Sequence, residues 1–418
     1  MSKVQTELAL APYRVLDLTD DKGFLCGKVL GDLGADVIKI EKPGGEPARR
    51  LGPFYKDIPD PEKSLYWFAY NSNKRGITLD IETRDGKELF KRLVKKADFV
   101  IESFSPGYME EIGLGYSTLS KINPGIILTS ISHFGQAGPY KDYKGCDIVD
   151  MAMSGYMFVT GDPDRPPVRI TFPQAYLNAG IEAAAGAMIA FYYRQLTGEG
   201  QWVDVSIQHS AVRLPFEVRQ FWEFTHQIWP RQGPRRGGIF MHVLRRQTWP
   251  CKGGAISYEL LSGASRANEN RALVQWLDSE GMADTFLKDV KWEEFDFATV
   301  SEEFIAQVEE RLGRFFLTHT VDELCAGAQE RRIMIYPILD AKGVVENSQL
   351  AAREFWEEVE HPELGASIIY PGAFIKATET PCNIRRRSPL IGEHNDEVYG
   401  ELGISSEEIL ILKQSNII

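Results

Sequence analysis

Short apolar runs at residues 13–18, 36–41, 76–81, 98–101 and 125–130 are bounded by polar or glycine-containing turns and are too brief for helices, so they predict strands. Between them the spacing becomes helical. Residues 25–33 predict one helix, closed by Gly34 where a C-cap would stand. Residues 83–96 predict another, with Leu89, Phe90 and Leu93 on one face. Strands separated by helices of about ten or more residues imply a parallel sheet covered on both faces. From about 215 to 317 the pattern changes to Trp-, Arg- and Gly-rich sequence followed by charged amphipathic helices, which predicts a second, smaller α/β domain. The segment 335–418 contains extended pieces and a final helix at 405–414.

The most apolar long stretch, 177–193, carries Asn178 and Glu182 and is shorter than the ~20 residues a membrane span needs. Its glycines and alanines predict a buried helix packed closely on its neighbours. With 418 residues, two domains are expected, and 43% hydrophobic with 25% charged residues suits a globular enzyme. A net charge of −12 argues against nucleic acid or an anionic membrane as partner. The five cysteines show no CxxC spacing and the seven histidines no HxxxH pair, so reduced thiols, a cytoplasmic location and no metal site are expected. There is no GxGxxG after the first strand, no Walker lysine loop and no GxSxG elbow.

Longer blocks are more specific. They run from Arg14-Val-Leu-Asp-Leu-Thr19 through Leu33-Gly-Ala-Asp-Val-Ile-Lys-Ile-Glu41, Asn71-Ser-Asn-Lys-Arg-Gly-Ile-Thr-Leu-Asp80 and Ala97-Asp-Phe-Val-Ile-Glu-Ser-Phe-Ser-Pro-Gly107. Phe134-Gly-Gln-Ala-Gly-Pro-Tyr140, Thr197-Gly-Glu-Gly-Gln201 and Pro389-Leu-Ile-Gly-Glu-His-Asn-Asp-Glu-Val398 complete the set. In this order they resemble the class III (formyl-CoA transferase, or CaiB/BaiF) coenzyme A-transferases, a family that also holds α-methylacyl-CoA racemases. The resemblance implies a Rossmann-like large domain (1–215), a small α/β domain (216–330) and a return segment (331–418). It also implies two subunits interlocked like rings, with the active site between the large domain of one and the small domain of the other.

The family's transferases use an aspartate that attacks the acyl-CoA thioester; the resulting anhydride passes to an enzyme-bound CoA thioester and then to the acceptor acid. That aspartate stands about ten residues before a helix glycine. Counting back from Gly186 reaches Tyr176, so the resemblance implies no catalytic residue at that position. Glu182, Asp147 and Asp150 are the nearby acids. The racemase branch uses a Gly-His-Asp triplet, where this chain has Gly145-Cys146-Asp147.

Coenzyme A is expected as substrate, with no covalently held cofactor. Lys42, Leu79 and Phe104 are the implied contacts, while Glu82 and Glu111 stand where the family has basic groups. Arg231 to Gly238 and Arg245 to Trp249, chiefly Arg235, Arg236 and Arg245, are candidates to bind a dicarboxylate, because guanidinium groups hold carboxylates bidentately. The expected partner is a homologous subunit that carries the aspartate, in an interlocked heterodimer or heterotetramer. Succinyl-CoA:(R)-benzylsuccinate transfer is the best-matching chemistry. An active homomeric transferase using another carboxylate, an acyl-CoA-binding protein and a purely structural partner remain as alternatives.

Overall fold

The computed structural model describes residues 8–237 and 243–418. Six parallel strands form the main sheet: β1 (Arg14–Leu18), β2 (Asp36–Glu41), β3 (Lys74–Thr78), β4 (Phe99–Glu102), β5 (Ile127–Ser132) and β6 (Trp202–Ser206). Their order is β3-β2-β1-β4-β5-β6, a doubly wound arrangement whose direction reverses between β1 and β4. β1 to β5 are buried almost throughout, as expected of a parallel sheet packed on both faces. On one side Leu16, Ile38, Ile77 and Val100 join Phe90 and Leu93 of the Arg84–Val94 helix. The C-terminal helices contribute Val398, Tyr399 and Ile409 to the same core.

β3 begins earlier than the apolar pattern indicates, because Lys74 and Arg75 are buried through ion pairs. Lys74 Nζ lies 2.8 Å from Asp17 Oδ2, and Arg75 is bidentate to Asp36. The glycine- and alanine-rich helix is longer than expected, Gln174–Thr197. Only one face is buried, through Ala179, Gly180, Ala183, Ala184, Ala187 and Ala190; Ile181, Ile189, Tyr192 and Leu196 are exposed. The expected buried, closely packed helix is thus found on one face only: its small residues set a close approach there, and its large ones face outward. At Gly180 a Cβ would lie 3.0 Å from Leu25 Cβ.

The chain divides into two compact units. The first holds residues 1–156, 170–215 and 349–418; the second holds 157–169 and 216–348. Residues 157–169 and 331–348 thus group with the second unit rather than with the flanking segments to which the sequence reading gave them. The second unit has a three-stranded antiparallel sheet (Thr248–Cys251, Gly254–Tyr258, Ile335–Pro337) and an aromatic core containing Trp249, Tyr258, Trp276, Phe315 and Phe316. Among the described residues, no helix is long and apolar enough to cross a membrane, and no group of three or more His, Cys, Asp or Glu could hold a metal ion.

Candidate active site

In open α/β sheets, ligands bind outside the carboxyl ends of the strands where the strand order reverses. Here that point is held by two loops, one after β1 (residues 19–23) and one after β4 (103–107). Ser103 joins them: its hydroxyl donates to Asp20 Oδ1 at 2.7 Å and accepts from the Asp20 N–H at 2.8 Å. A cavity of about 410 Å³ opens beside them, lined by Lys22, Phe104, His133 and Lys144 among others. Gly145 sits so close to the imidazole that a Cβ there would be 2.5 Å from His133 Cγ.

Beside this crevice lies the first turn of the long helix. Tyr176 is buried in that turn, and Asp147 Oδ1 accepts from the Ala175 N–H at 3.0 Å, so a carboxylate from the preceding helix caps this one. Burial, and after it Asp21, Asp150 and Asp20, push the Tyr176 phenol above its usual range. It stays protonated at neutral pH, as a hydrogen-bond donor and not a nucleophile. His133 Nδ1 is 2.7 Å from Asp150 Oδ2, and the imidazole centroid is 6.1 Å from the Tyr176 ring. Asp150 is fully buried; burial raises its carboxyl, with His133 acting in opposition.

Three further acids belong to this end of the sheet and were not singled out from the sequence. Asp21 is raised by burial and by Asp20. Glu46 is pushed up to about 7, chiefly by burial. Glu102, at the end of β4, is also pushed up to about 7 by burial, although Ser130 and the Phe104 N–H bond to it. The only sequence signal was their position in or just after the carboxyl ends of β1, β2 and β4.

Of the expected CoA contacts, Phe104 lines the cavity. Lys42 is instead paired with Glu82 at 2.9 Å, and the same carboxylate accepts from Tyr108 Oη at 2.6 Å. Glu82 therefore neutralises Lys42 rather than standing as an unpaired charge. Leu79 is 1% exposed within the core and cannot face a ligand. Glu111 is exposed. The sequence reading missed Lys22, which is paired with Asp20, and Lys144, which has no ion-pair partner among the described residues.

Glu182 is occupied structurally: it accepts from Ser210 Oγ at 2.7 Å and lies 3.5 Å from Arg213 Nε. In the second unit, Arg235 pairs with Glu309 at 2.6 Å. Arg245 is buried, paired with Glu259 and set over the Phe297 ring. Both of these candidate substrate arginines thus already hold a carboxylate of their own unit. Arg236 is exposed, and Gly238 lies outside the described residues.

The sequence profile described as CoA-transferase family III matches residues 10–395. The chain is 34% identical over 400 residues to the BbsE subunit of succinyl-CoA:(R)-benzylsuccinate CoA-transferase from Thauera aromatica, covering 95% of each. It is 32% identical over 424 residues to succinyl-CoA–D-citramalate CoA-transferase from Chloroflexus aurantiacus, covering 100% of each. Its fold is similar to that of a CAIB/BAIF family protein from Brucella suis, with a TM-score of 0.79, 27% identity, and coverage of 94% of this chain and 98% of the other.

Proposed function

The chain belongs to CoA-transferase family III, and from that premise we propose that it is the aspartate-lacking subunit of a heteromeric, cytoplasmic CoA-transferase. The complex moves CoA from a succinyl-CoA-like donor to an aryl-substituted succinate such as benzylsuccinate. One observation carries this reading: Tyr176, a phenol held protonated, occupies the first turn of the long helix, at the position that counting back from Gly186 gives for the family's nucleophile. A tyrosyl ester would not be converted into an enzyme-bound CoA thioester, so a homologous sister subunit supplies the carboxylate. There the carboxylate oxygen bonds the acyl carbon and CoA thiolate leaves. The thiolate then attacks the protein carbonyl of the anhydride, and the donor acid departs. Finally the acceptor carboxylate attacks the protein thioester and CoA thiolate leaves; the thiolate then attacks the acceptor carbonyl of the new anhydride, giving the acceptor's CoA thioester and freeing the protein carboxylate.

Similarity to a protein named as a subunit of benzylsuccinate CoA-transferase supports the heteromer and the substrate class. In this reading Lys144 and Phe104 hold CoA, and exposed Arg236 is the small-unit guanidinium free to reach an acceptor carboxylate. Co-expression with a homologue carrying the aspartate is expected to give CoA transfer by the pair and none by this chain alone. Turnover by the purified single chain would sink the proposal.

A second reading rests on Asp21, whose carboxyl bonds only its own backbone among the described residues and acts electrostatically on Tyr176. If Asp21 were the nucleophile, the single chain would form a hydroxylamine-sensitive acyl adduct that D21N abolishes.

A further inference from the structure

At the opposite, amino-terminal end of the sheet, a cavity of about 520 Å³ opens beside the first residues of β1, β2 and β3. Four guanidinium groups line it, from Arg14, Arg75, Arg385 and Arg386, against three carboxylates. The first two arginines use all three acids. Arg14 pairs with Asp36 at 2.8 Å and Glu401 at 2.7 Å, and Arg75 pairs with Asp36, Glu397 and Glu401 at 2.6–2.8 Å. Arg385 and Arg386 are left without a carboxylate partner among the described residues.

Arg385 donates to the Gly31 carbonyl at 2.6 Å. Arg386 Nη1 faces His394 Nε2 at 3.0 Å, but that contact is not a satisfied hydrogen bond. The Gly76 N–H already donates to His394 Nδ1 at 3.1 Å, so the neutral ring carries its hydrogen on Nε2. Two N–H donors therefore meet with no acceptor between them. Burial, opposed by Glu393 and aided by Arg386, holds the imidazole below its ordinary range; protonation would in any case leave Nε2 a donor.

This pair of arginines is held in place by Asn73. Asn73 adopts a left-handed φ of 62°, and its Oδ1 accepts from the N–H groups of Arg385 at 2.7 Å and Arg386 at 3.2 Å. Its own N–H donates to the Arg386 carbonyl at 2.9 Å, and its Nδ2 donates to the Asn383 carbonyl at 2.9 Å. Non-glycine residues keep such a backbone only where the surroundings over-determine it. The same two arginines, with His394 and Arg387, also line a second cavity of about 390 Å³, where Glu358, Glu360 and Glu393 stand as well; Glu393 is held there by Arg387 at 2.7 Å.

We propose that Arg385 and Arg386, with His394 Nε2–H, form an anion site for a phosphate-bearing small molecule, separate from the crevice at the carboxyl end. A phosphate group presents enough acceptor oxygens to take two guanidinium groups and one imidazole N–H together. The space suits a phosphate ester or diphosphate rather than a bare ion. The site is independent of the transfer reaction and stands or falls without it.

Calorimetry on the full-length protein, in whichever assembly it forms, tests this with inorganic pyrophosphate and with 3′,5′-ADP, the nucleotide portion of CoA. At least one is expected to bind, more weakly as salt rises, and the double variant R385Q/R386Q is expected to lose tenfold or more in affinity. R386K, a point charge in place of a fork, is expected to fall between. Hydrogen exchange across 383–394 is expected to slow on binding and confirms that the variants are folded. If only 3′,5′-ADP behaves this way, the ligand is a CoA nucleotide; if pyrophosphate does, it is a diphosphate in general. No binding by either, or affinity kept in R385Q/R386Q and lost in K144Q, would overturn the proposal.

Discussion

At the carboxyl ends of β1, β2, β4 and β5, several ionisable side chains are acids drawn out of water, among them Asp21, Glu46, Glu102 and Asp150, whose carboxyls are all raised by burial. At the amino ends of β1–β3, Arg14 and Arg75 consume the available acids, and two more arginines remain over. Burying acids without full pairing costs stability, and a fold keeps such groups where they serve a site. The contrast shows that the carboxyl end of the sheet is rich in carboxyl groups even though a tyrosine, Tyr176, and not an acid stands in the first turn of the long helix. After burial, Asp20 and Asp21 raise Glu46, and Asp21, Asp150 and Asp20 raise Tyr176.

The comparison can be pressed hardest at Asp17, beneath the β1 loop. Its carboxylate meets Lys74 at 2.8 Å and Lys39 at 3.7 Å, all three fully buried, and the two lysines outweigh burial in holding it below its ordinary range. D17N strands two buried ammonium groups and is expected to cost about 3–5 kcal/mol, read from denaturant unfolding.

Glu102 gives the next largest effect. Its native value near 7 lies above the ordinary 4.5, so the folded state binds the extra proton and stability falls as pH rises from about 4.5 through 7. E102Q is expected to flatten that loss by roughly 1–3 kcal/mol between pH 5 and 8. An unchanged pH profile would remove Glu102 from the contrast. D147A uncaps the long helix and is expected to cost about 1 kcal/mol. K42A, at an exposed pair, is expected to change stability by less than about 0.5 kcal/mol, while a larger loss would show that the pair is more than surface charge.

The strands and their alternation with helices were legible because buried parallel strands are apolar and short. Their order was not, since nothing local records which strand lies beside which. β3 was misplaced because Lys74 and Arg75 look like turn residues until their partners Asp17 and Asp36 arrive from β1 and β2. At the site, Tyr176 could be found by counting along a motif. Asp147 and Asp150 could be named as acids near it, but Asp20 and Asp21 could not, because they read as an ordinary polar turn. Their burial is a tertiary property. The partners of Arg235 and Arg245 were not legible for the same reason: which of the chain's carboxylates meets which arginine, Glu309 and Glu259 here, is settled only by the folded arrangement.

The long helix has a practical consequence for anyone making this protein. Ile189, Tyr192 and Leu196 stand 71%, 67% and 69% exposed on a single copy, a greasy stripe held against water. Covering it is favourable and needs only another apolar surface. Chain made alone is therefore expected to clump more readily than chain made together with a protein that covers the stripe, and replacing Ile189 and Leu196 by polar residues is expected to keep the lone chain dispersed.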